Sequence, residues 1–182
     1  AASPEVVKKF TGMGFEVTIE SGAGLNSGFT DKIFEDVGAN IASDTKATLK
    51  DADVIFKIQR LMTSKDTIDE ISMCKKDAMV ISHMSALSSK TDIEEYAKAS
   101  ITTFAMDLMP RISRAQSMDV LSSQSNLSGY QAVIKGANNF NSAFPMMMTA
   151  AGTVAPAKVF MMGVGVAGLQ AIATAKRMGA IV

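Results

Sequence analysis

The sequence lacks most of the features that mark a secreted, membrane-spanning or nucleic-acid-binding protein. Cys74 is the only cysteine, which excludes an internal disulfide framework and fits a reducing compartment. Eighteen basic residues balance eighteen acidic ones, so the net charge indicates neither nucleic acid nor an anionic membrane surface as a partner. We recognise no hydrophobic run long enough for a transmembrane helix, no signal peptide and no internal repeat. The 182 residues are 47% hydrophobic, enough for a sizeable core in one domain, or in one domain and a piece of another.

A glycine motif near the end of the sequence gives the strongest indication of function. The short apolar run at 159–162 predicts a buried strand, and the helix formers at 169–178 predict a helix. Between them lie three glycines in the spacing G-x-G-x-x-G, namely Gly163, Gly165 and Gly168. A strand, a glycine turn and a helix in this order are typical of a dinucleotide-binding fold, although the bare motif also occurs in simple glycine-rich turns.

Each position of this motif has a physical role. Gly163 permits the tight turn, Gly165 has no side chain to keep a pyrophosphate away, and Gly168 lets the helix pack close to the strand. The N–H groups around Val166 and Ala167 then point at the phosphates, at the positive end of the helix. We therefore predict a nucleotide-binding site at this turn.

The last residues predict that this nucleotide-binding domain is incomplete. Ala180–Val182 has the composition of the start of a second strand. The acidic residue that holds the adenosine ribose follows the glycines by about 20 residues in such folds, and that position falls past Val182.

Strands and helices alternate through the rest of the chain. Predicted strands cover 15–20, 52–58, 78–83 and 101–106; predicted helices cover 4–13, 30–37, 68–75 and 91–99, the last with a capping box formed by Thr91 and Glu94. This alternation predicts βαβ units and an α/β fold of two Rossmann-like parallel-sheet domains, the second truncated. We place the first domain at 1–143 and the start of the NAD-binding domain at 144–182.

Two polar residues interrupt or end the apolar strands. Lys57 lies within one strand, and His83, the only histidine, closes another. In an oxidoreductase they could bind a keto acid and move a proton. A solvated lysine and a hydrogen-bonded histidine at a strand end is the interpretation we favour, because no third partner is visible.

A polar segment follows the strand at 101–106. Pro110 prevents a helix through Met109, and Ser113 can cap a helix that runs to about Asn139. The first turns of this long helix carry serine, asparagine and glycine instead of lysine and glutamate, which predicts close contact with another chain or domain. Three consecutive methionines at 146–148 could indicate a soft-metal site, but without a nearby Cys or His we interpret them as flexible packing and predict no metal.

Three stretches resemble the NAD(H)-binding alpha subunit of proton-translocating NAD(P) transhydrogenase. The sequence PRISRAQSMD, at 110–119, is similar to the signature loop of that family, and the stretches at 148–154 and 163–177 resemble it too. The opening residues 3–9 also fit, so the likeness covers the whole length. Alanine dehydrogenases share the fold and the glycine turn but differ at this loop.

The resemblance implies roles for individual residues. Arg111, Gln116, Asp119 and Ser122 would surround the nicotinamide as catalytic residues. Arg111 would contact the nucleotide and pair with Asp119, Gln116 would reach toward the second nucleotide, and Ser122 would bond the carboxamide or its supporting network. The predicted cofactor-binding residues are Arg111, Ile112, Ser113, Arg114, Gln116, Gly163, Gly165, Val166 and Gly168.

The resemblance also implies partners. NAD(H) would bind this component in a cleft crossed by the long helix, and NADP(H) would bind a separate domain of the complex. A membrane domain would couple hydride transfer to proton movement, and family members pair as dimers. This chain would then lie peripherally, on the cytoplasmic face of a bacterial inner membrane or the matrix face of a mitochondrial one. It would not itself span the membrane or bind nucleic acid.

Two alternatives stay open on the sequence alone. The first is an alanine dehydrogenase, which would use Lys57 and His83 on pyruvate. The second is a non-catalytic NAD-binding fragment. Because the nucleotide domain lacks most of its sheet, we expect the 182-residue chain alone to be inactive and to bind NADH weakly or not at all.

Overall fold

The computed structural model describes all 182 residues, which group into two compact units, 1–109 and 110–182. The α-helices are α1 Pro4–Gly12, α2 Asp31–Glu35, α3 Thr45–Leu49, α4 Lys90–Lys98, α5 Val120–Asn139 and α6 Val166–Arg177. The strands are β1 Thr18–Glu20, β2 Asn40–Ala42, β3 Val54–Gln59, β4 Met79–His83, β5 Thr102–Ala105, β6 Met147–Thr149 and β7 Gly152–Val154. None of these helices combines the length and the hydropathy that a membrane span requires.

The first unit contains two parallel sheets. β1 pairs with β2, and β3, β4 and β5 form a second sheet in that order. In the larger sheet Val54 lies opposite Met79, and Met79 lies opposite Thr102. The predicted α/β class with parallel pairing is therefore confirmed.

Apolar side chains from strands and helices form the cores of this unit. The larger core gathers the buried residues Leu49, Ile55, Leu61, Ile71, Ala78, Val80, Met84, Tyr96 and Ile101. Tyr96 is 1% exposed, and its hydroxyl donates a 2.9 Å hydrogen bond to the Leu61 carbonyl oxygen, so the ring is buried without an unpaired polar atom. A smaller core joins Val7 of α1, Phe34 of α2 and Ala39.

Two helical predictions in this unit are wrong. Residues 68–75 form only a 3₁₀ turn, Ile71–Met73, because Asp69 bonds locally, its carboxylate accepting the Ser72 N–H at 3.1 Å. The predicted capping box is absent, since α4 begins at Lys90 and its cap residue, Ser89, makes no side-chain capping bond. Two elements escaped prediction, the short helix α3 and the hairpin of β6 and β7.

The second unit is organised around α5 and α6. Its core consists of small residues, namely Val133, Ala157, Ala171, Ala175 and Ala180. A single parallel bridge joins Lys158 to Ile181, and the predicted strand at 159–162 does not extend beyond it. β6 and β7 form an antiparallel hairpin whose residues are all exposed.

The start of the long helix differs from the prediction. Residues Ser113–Met118 form a 3₁₀ segment, and α5 begins at Val120 with Asp119 as its cap instead of Ser113. Contacts group α5 with α6 in the second unit, whereas the sequence prediction assigned residues up to 143 to the first domain. The boundary of the complete domains stays a prediction.

Candidate nucleotide-binding site

The glycine turn has the backbone that its spacing predicts. Gly163 adopts a φ of +107°, a conformation that side chains of L-residues rarely adopt, so the tight turn requires glycine there. Gly165 is extended and caps α6, which begins at Val166. The chain therefore reverses within two residues and enters the helix directly.

Gly165 and Gly168 differ in what surrounds them. A Cβ built on Gly168 would overlap the carbonyl oxygen of Gly163 and lie 2.8 Å from its carbonyl carbon, so the helix approaches the turn as closely as predicted. A Cβ on Gly165 would meet nothing within 4 Å. The open space at Gly165 is the place where a phosphate group would approach the backbone.

The first turn of α6 provides donors for an anion. The N–H groups of Val166, Ala167 and Gly168 have no carbonyl four residues earlier in the helix to bond. No acidic residue lies in this turn, while Lys176 and Arg177 lie in the last turn, an arrangement that complements the helix dipole. The turn thus fits the pyrophosphate of a dinucleotide, with Gly163, Gly165, Val166 and Gly168 positioned as predicted for that role.

The polar loop before α5 is built around Asp119. Its Oδ1 atom accepts the backbone N–H of Ser122 at 3.0 Å, and its Oδ2 atom accepts the Ser122 hydroxyl at 2.6 Å. These two bonds lower the pKa of Asp119, and the positive charge of Arg111 lowers it further to a smaller extent. Asp119 is therefore a helix cap held in its ionised form.

The predicted ion pair of Arg111 with Asp119 is wrong for this structure. The carboxylate is bonded to Ser122, and Arg111 acts on it only through space. The reason is local, because the cap position commits both carboxylate oxygens to the start of the helix. The exposed guanidinium of Arg111 consequently keeps its donors for another partner.

The remaining loop residues present their side chains outward. Ala115 is 3% exposed and anchors the 3₁₀ segment. The exposed residues around it are Ile112, Ser113, Arg114 and Gln116. The structure thus joins Asp119 to Ser122 and places Arg111 within electrostatic range. No hydrogen bond or ion pair links this loop to the glycine turn.

Lys57 and His83 lie in different surroundings in the first unit. Lys57 forms an ion pair with Glu70, which is 5% exposed and also accepts the Met62 N–H at 2.7 Å. His83 is half-buried and lines an open pocket with Arg60, whose guanidinium is bonded to Asp66 and Asp92. The cations near these strand ends are thus already paired, and no cluster of His, Cys, Asp or Glu is placed to hold a metal ion.

Sequence reasoning missed two residues that matter here. Glu70, the partner of Lys57, lies outside any regular pattern, so no sequence signal could have identified it. Gly129 in α5 is buried against the backbone of Ala167 at the start of α6. Its only signal is a glycine inside a helical segment, which costs stability and so indicates a steric reason.

The α/β fold with a glycine turn at a helix start defines a nucleotide-binding class of protein, and comparison with known families makes it specific. The family model described as "Alanine dehydrogenase/PNT, N-terminal domain" matches residues 1–128, and the corresponding C-terminal domain model matches 132–182. The chain belongs to the alanine dehydrogenase/PNT family.

Within this family, the more similar relatives are transhydrogenase subunits. Over all of its 182 residues, the chain is 58% identical to the first portion of NAD(P) transhydrogenase subunit alpha of Rhodospirillum rubrum. It is 47% identical to the protein of the same name from Rickettsia prowazekii, and it spans 47% of the length of each. Alanine dehydrogenase 1 of Staphylococcus aureus is 28% identical over 137 residues.

Solved structures agree with this placement. The crystal structure of a transhydrogenase from Sinorhizobium meliloti matches 98% of the chain, with a TM-score of 0.91 and 54% identity, and the match covers 52% of that protein. An L-alanine dehydrogenase structure matches with a TM-score of 0.81 at 22% identity, which shows a shared fold. The predicted resemblance is confirmed, and with it the Rossmann-like fold class.

Proposed function

We propose that the chain belongs to the NAD(H)-binding component of a proton-translocating NAD(P) transhydrogenase. The single observation that carries this proposal is the glycine turn, with its open space at Gly165 and unpartnered N–H groups at the start of α6. The names of the relatives at 58% and 47% identity support the reaction. When bound, the dinucleotides supply the redox chemistry, in which a hydride passes from NADH to NADP⁺ and gives NAD⁺ and NADPH.

The protein's share of such a reaction is position and polarity. The backbone N–H groups of Val166, Ala167 and Gly168 would hold the pyrophosphate. Arg111 would bind an anionic or carbonyl oxygen of the nucleotide with the donors that Asp119 leaves free. No side chain needs to act as a general acid or base, because hydride transfer between two rings moves no proton to the protein.

The loop residues would orient the reacting end of the nucleotide. Asp119 and Ser122 fix the start of α5, so the segment before it presents Gln116 from a defined point. Gln116 would lie beside the nicotinamide and reach toward the second nucleotide, while Ile112, Ser113 and Arg114 complete the same wall. In the complex we propose an NADP-binding domain and a membrane domain as partners, a second copy as dimer mate, and a peripheral location at the membrane.

The main alternative, alanine dehydrogenase, is disfavoured by the surroundings of Lys57. In that reaction a lysine must offer its charge to a keto acid. Here the Lys57 ammonium is neutralised by the buried Glu70 carboxylate, so it is poorly placed to bind a second carboxylate.

The experiment that tests the proposal follows hydride transfer in the full-length protein. It is mixed with a separately prepared NADP-binding domain, and transfer from NADH to an NADP⁺ analogue is recorded with and without Gln116→Asn. We expect rapid transfer that falls by roughly 100-fold in the variant while NADH still binds, because a shortened amide misplaces the reacting rings. Absence of transfer together with turnover of pyruvate and ammonium would overturn the proposal in favour of the alanine dehydrogenase.

A further inference from the structure

Gly129 occupies an unusual place in α5. It is buried in the middle of the 20-residue helix, where glycine is less stable than alanine. A Cβ built there would overlap the carbonyl oxygen of Ala167 and lie 2.9 Å from its carbonyl carbon and 3.0 Å from its Cα atom. The obstruction is backbone, so no side-chain rotation can relieve it.

A second glycine in the same helix provides a contrast. Gly136 lies seven positions further along α5, where an added Cβ would meet nothing within 4 Å. Both glycines weaken the helix in the same way, but only Gly129 makes a close approach to another backbone. The steric requirement is therefore specific to the position that faces Ala167.

Ala167 belongs to the turn of α6 that would bind the phosphates. It is the second residue of that helix, and its N–H group is one of the three without an intrahelical partner. The distance between α5 and the first turn of α6 therefore sets where these donors point. Val133, one turn further along α5, packs with Ala171 and Ala175 and holds the rest of α6 in place.

We propose that Gly129 is a positioning residue for the pyrophosphate site. By admitting the backbone of α6 at van der Waals distance, it fixes the direction of the N–H groups of Val166, Ala167 and Gly168. The inference rests on the proposed dinucleotide binding at this turn. It adds that α5, through a residue that touches no ligand, determines the affinity for the pyrophosphate group.

The test compares Gly129→Ala with two matched variants in the full-length protein. Gly136→Ala adds the same methyl group to the same helix in open space. Val133→Ala loosens the packing of α5 on α6 without adding volume at the turn. For each protein, the affinity for ADP and for adenosine is measured by competition with NADH fluorescence, and the thermal unfolding midpoint is recorded.

We expect Gly129→Ala to weaken ADP and NADH binding by roughly tenfold or more and to leave adenosine binding within about twofold. Gly136→Ala and Val133→Ala should keep the wild-type ratio of ADP to adenosine affinity, although Val133→Ala unfolds at a lower temperature. A merely structural role would instead reduce both affinities together, in proportion to the loss of stability, and would overturn the inference. So would wild-type ADP binding by Gly129→Ala.

A second measurement covers the other outcomes. Amide resonances of residues 166–168 in the ligand-free protein should shift in Gly129→Ala but not in Gly136→Ala; unchanged resonances would refute the positioning role even if wild-type protein binds no NADH, a result that would overturn the proposed function itself. If Gly129→Ala does not fold, the amide resonance of Gly129 in the wild type should respond to ADP and that of Gly136 should not. Equal responses would refute the inference.

Discussion

Asp119 shows how one carboxylate can define the start of a functional loop. It caps α5 through two bonds to Ser122, at 3.0 Å and 2.6 Å. The sequence predicted Asp119 and Ser122 as neighbours of the site, but it assigned the cap to Ser113 and a partner role to Arg111. Serine and aspartate are both acceptable caps by residue type, and only the three-dimensional turn decides which residue takes the position.

The first prediction concerns the pH dependence of this cap. The pKa of Asp119 is lowered from its usual value of about 3.9, mainly by the bonds from Ser122, so the carboxylate stabilises the fold above about pH 4. That contribution is lost as the pH falls through the lower, folded-state pKa. The difference in unfolding free energy between wild type and Asp119→Asn should therefore shrink from pH 7 to pH 3 in urea titrations. An equal difference at both pH values would contradict this assignment.

The second prediction concerns Lys57 and Glu70. Lys57→Met leaves the buried carboxylate unpaired, so the free energy of unfolding should fall by about 3 kcal/mol. The double variant with Glu70→Gln should recover much of this loss, because the amide oxygen can still accept the Met62 N–H. Urea denaturation measures both values. If the single and double variants are equally unstable, the ion pair is not what holds this segment.

At the scale of elements, the pairing of α5 with α6 organises the second unit. Periodicity predicted both helices, and glycine spacing predicted the turn between the apolar run and α6. The boundaries were less predictable, since α5 starts six residues later than expected, after a 3₁₀ segment. The helix at 68–75 failed for a similar reason, because side-chain bonds from Asp69 and Glu70 replace helical ones.

The third prediction tests the packing of these two helices. Val133 is 5% exposed and lies among the alanines of α6, where little other apolar volume is available. Val133→Ala should lower the free energy of unfolding by about 2 kcal/mol, since two methyl groups leave the core and the backbone cannot fully collapse. Thermal and urea unfolding of the full-length protein measure it. A change within about 0.5 kcal/mol, typical of a surface site, would show that α5 and α6 are not held by this cluster.

At the scale of the whole molecule, the alternation of strands and helices was sufficient to predict an α/β fold with parallel sheets. Three of the short elements were harder to locate, namely α3, β6 and β7, because they carry no periodic pattern. The family was recognisable from the loop at 110–119 and the glycine turn. The partner of Lys57 and the contact of Gly129 depend on residues far apart in sequence, so no local pattern could reveal them.

The most direct test of the central claim, that the glycine turn binds the pyrophosphate of NAD(H), is a Gly165 substitution. Gly165 has a φ of −72° and open space where a Cβ would lie, so alanine or valine should leave the fold intact. NADH titration of the full-length protein measures the effect, with Gly136→Ala as the control. We predict that Gly165→Val unfolds near the wild-type midpoint but binds NADH roughly tenfold or more weakly, because its side chain occupies the phosphate position. A Gly165→Val protein that binds NADH as tightly as the wild type would contradict the account.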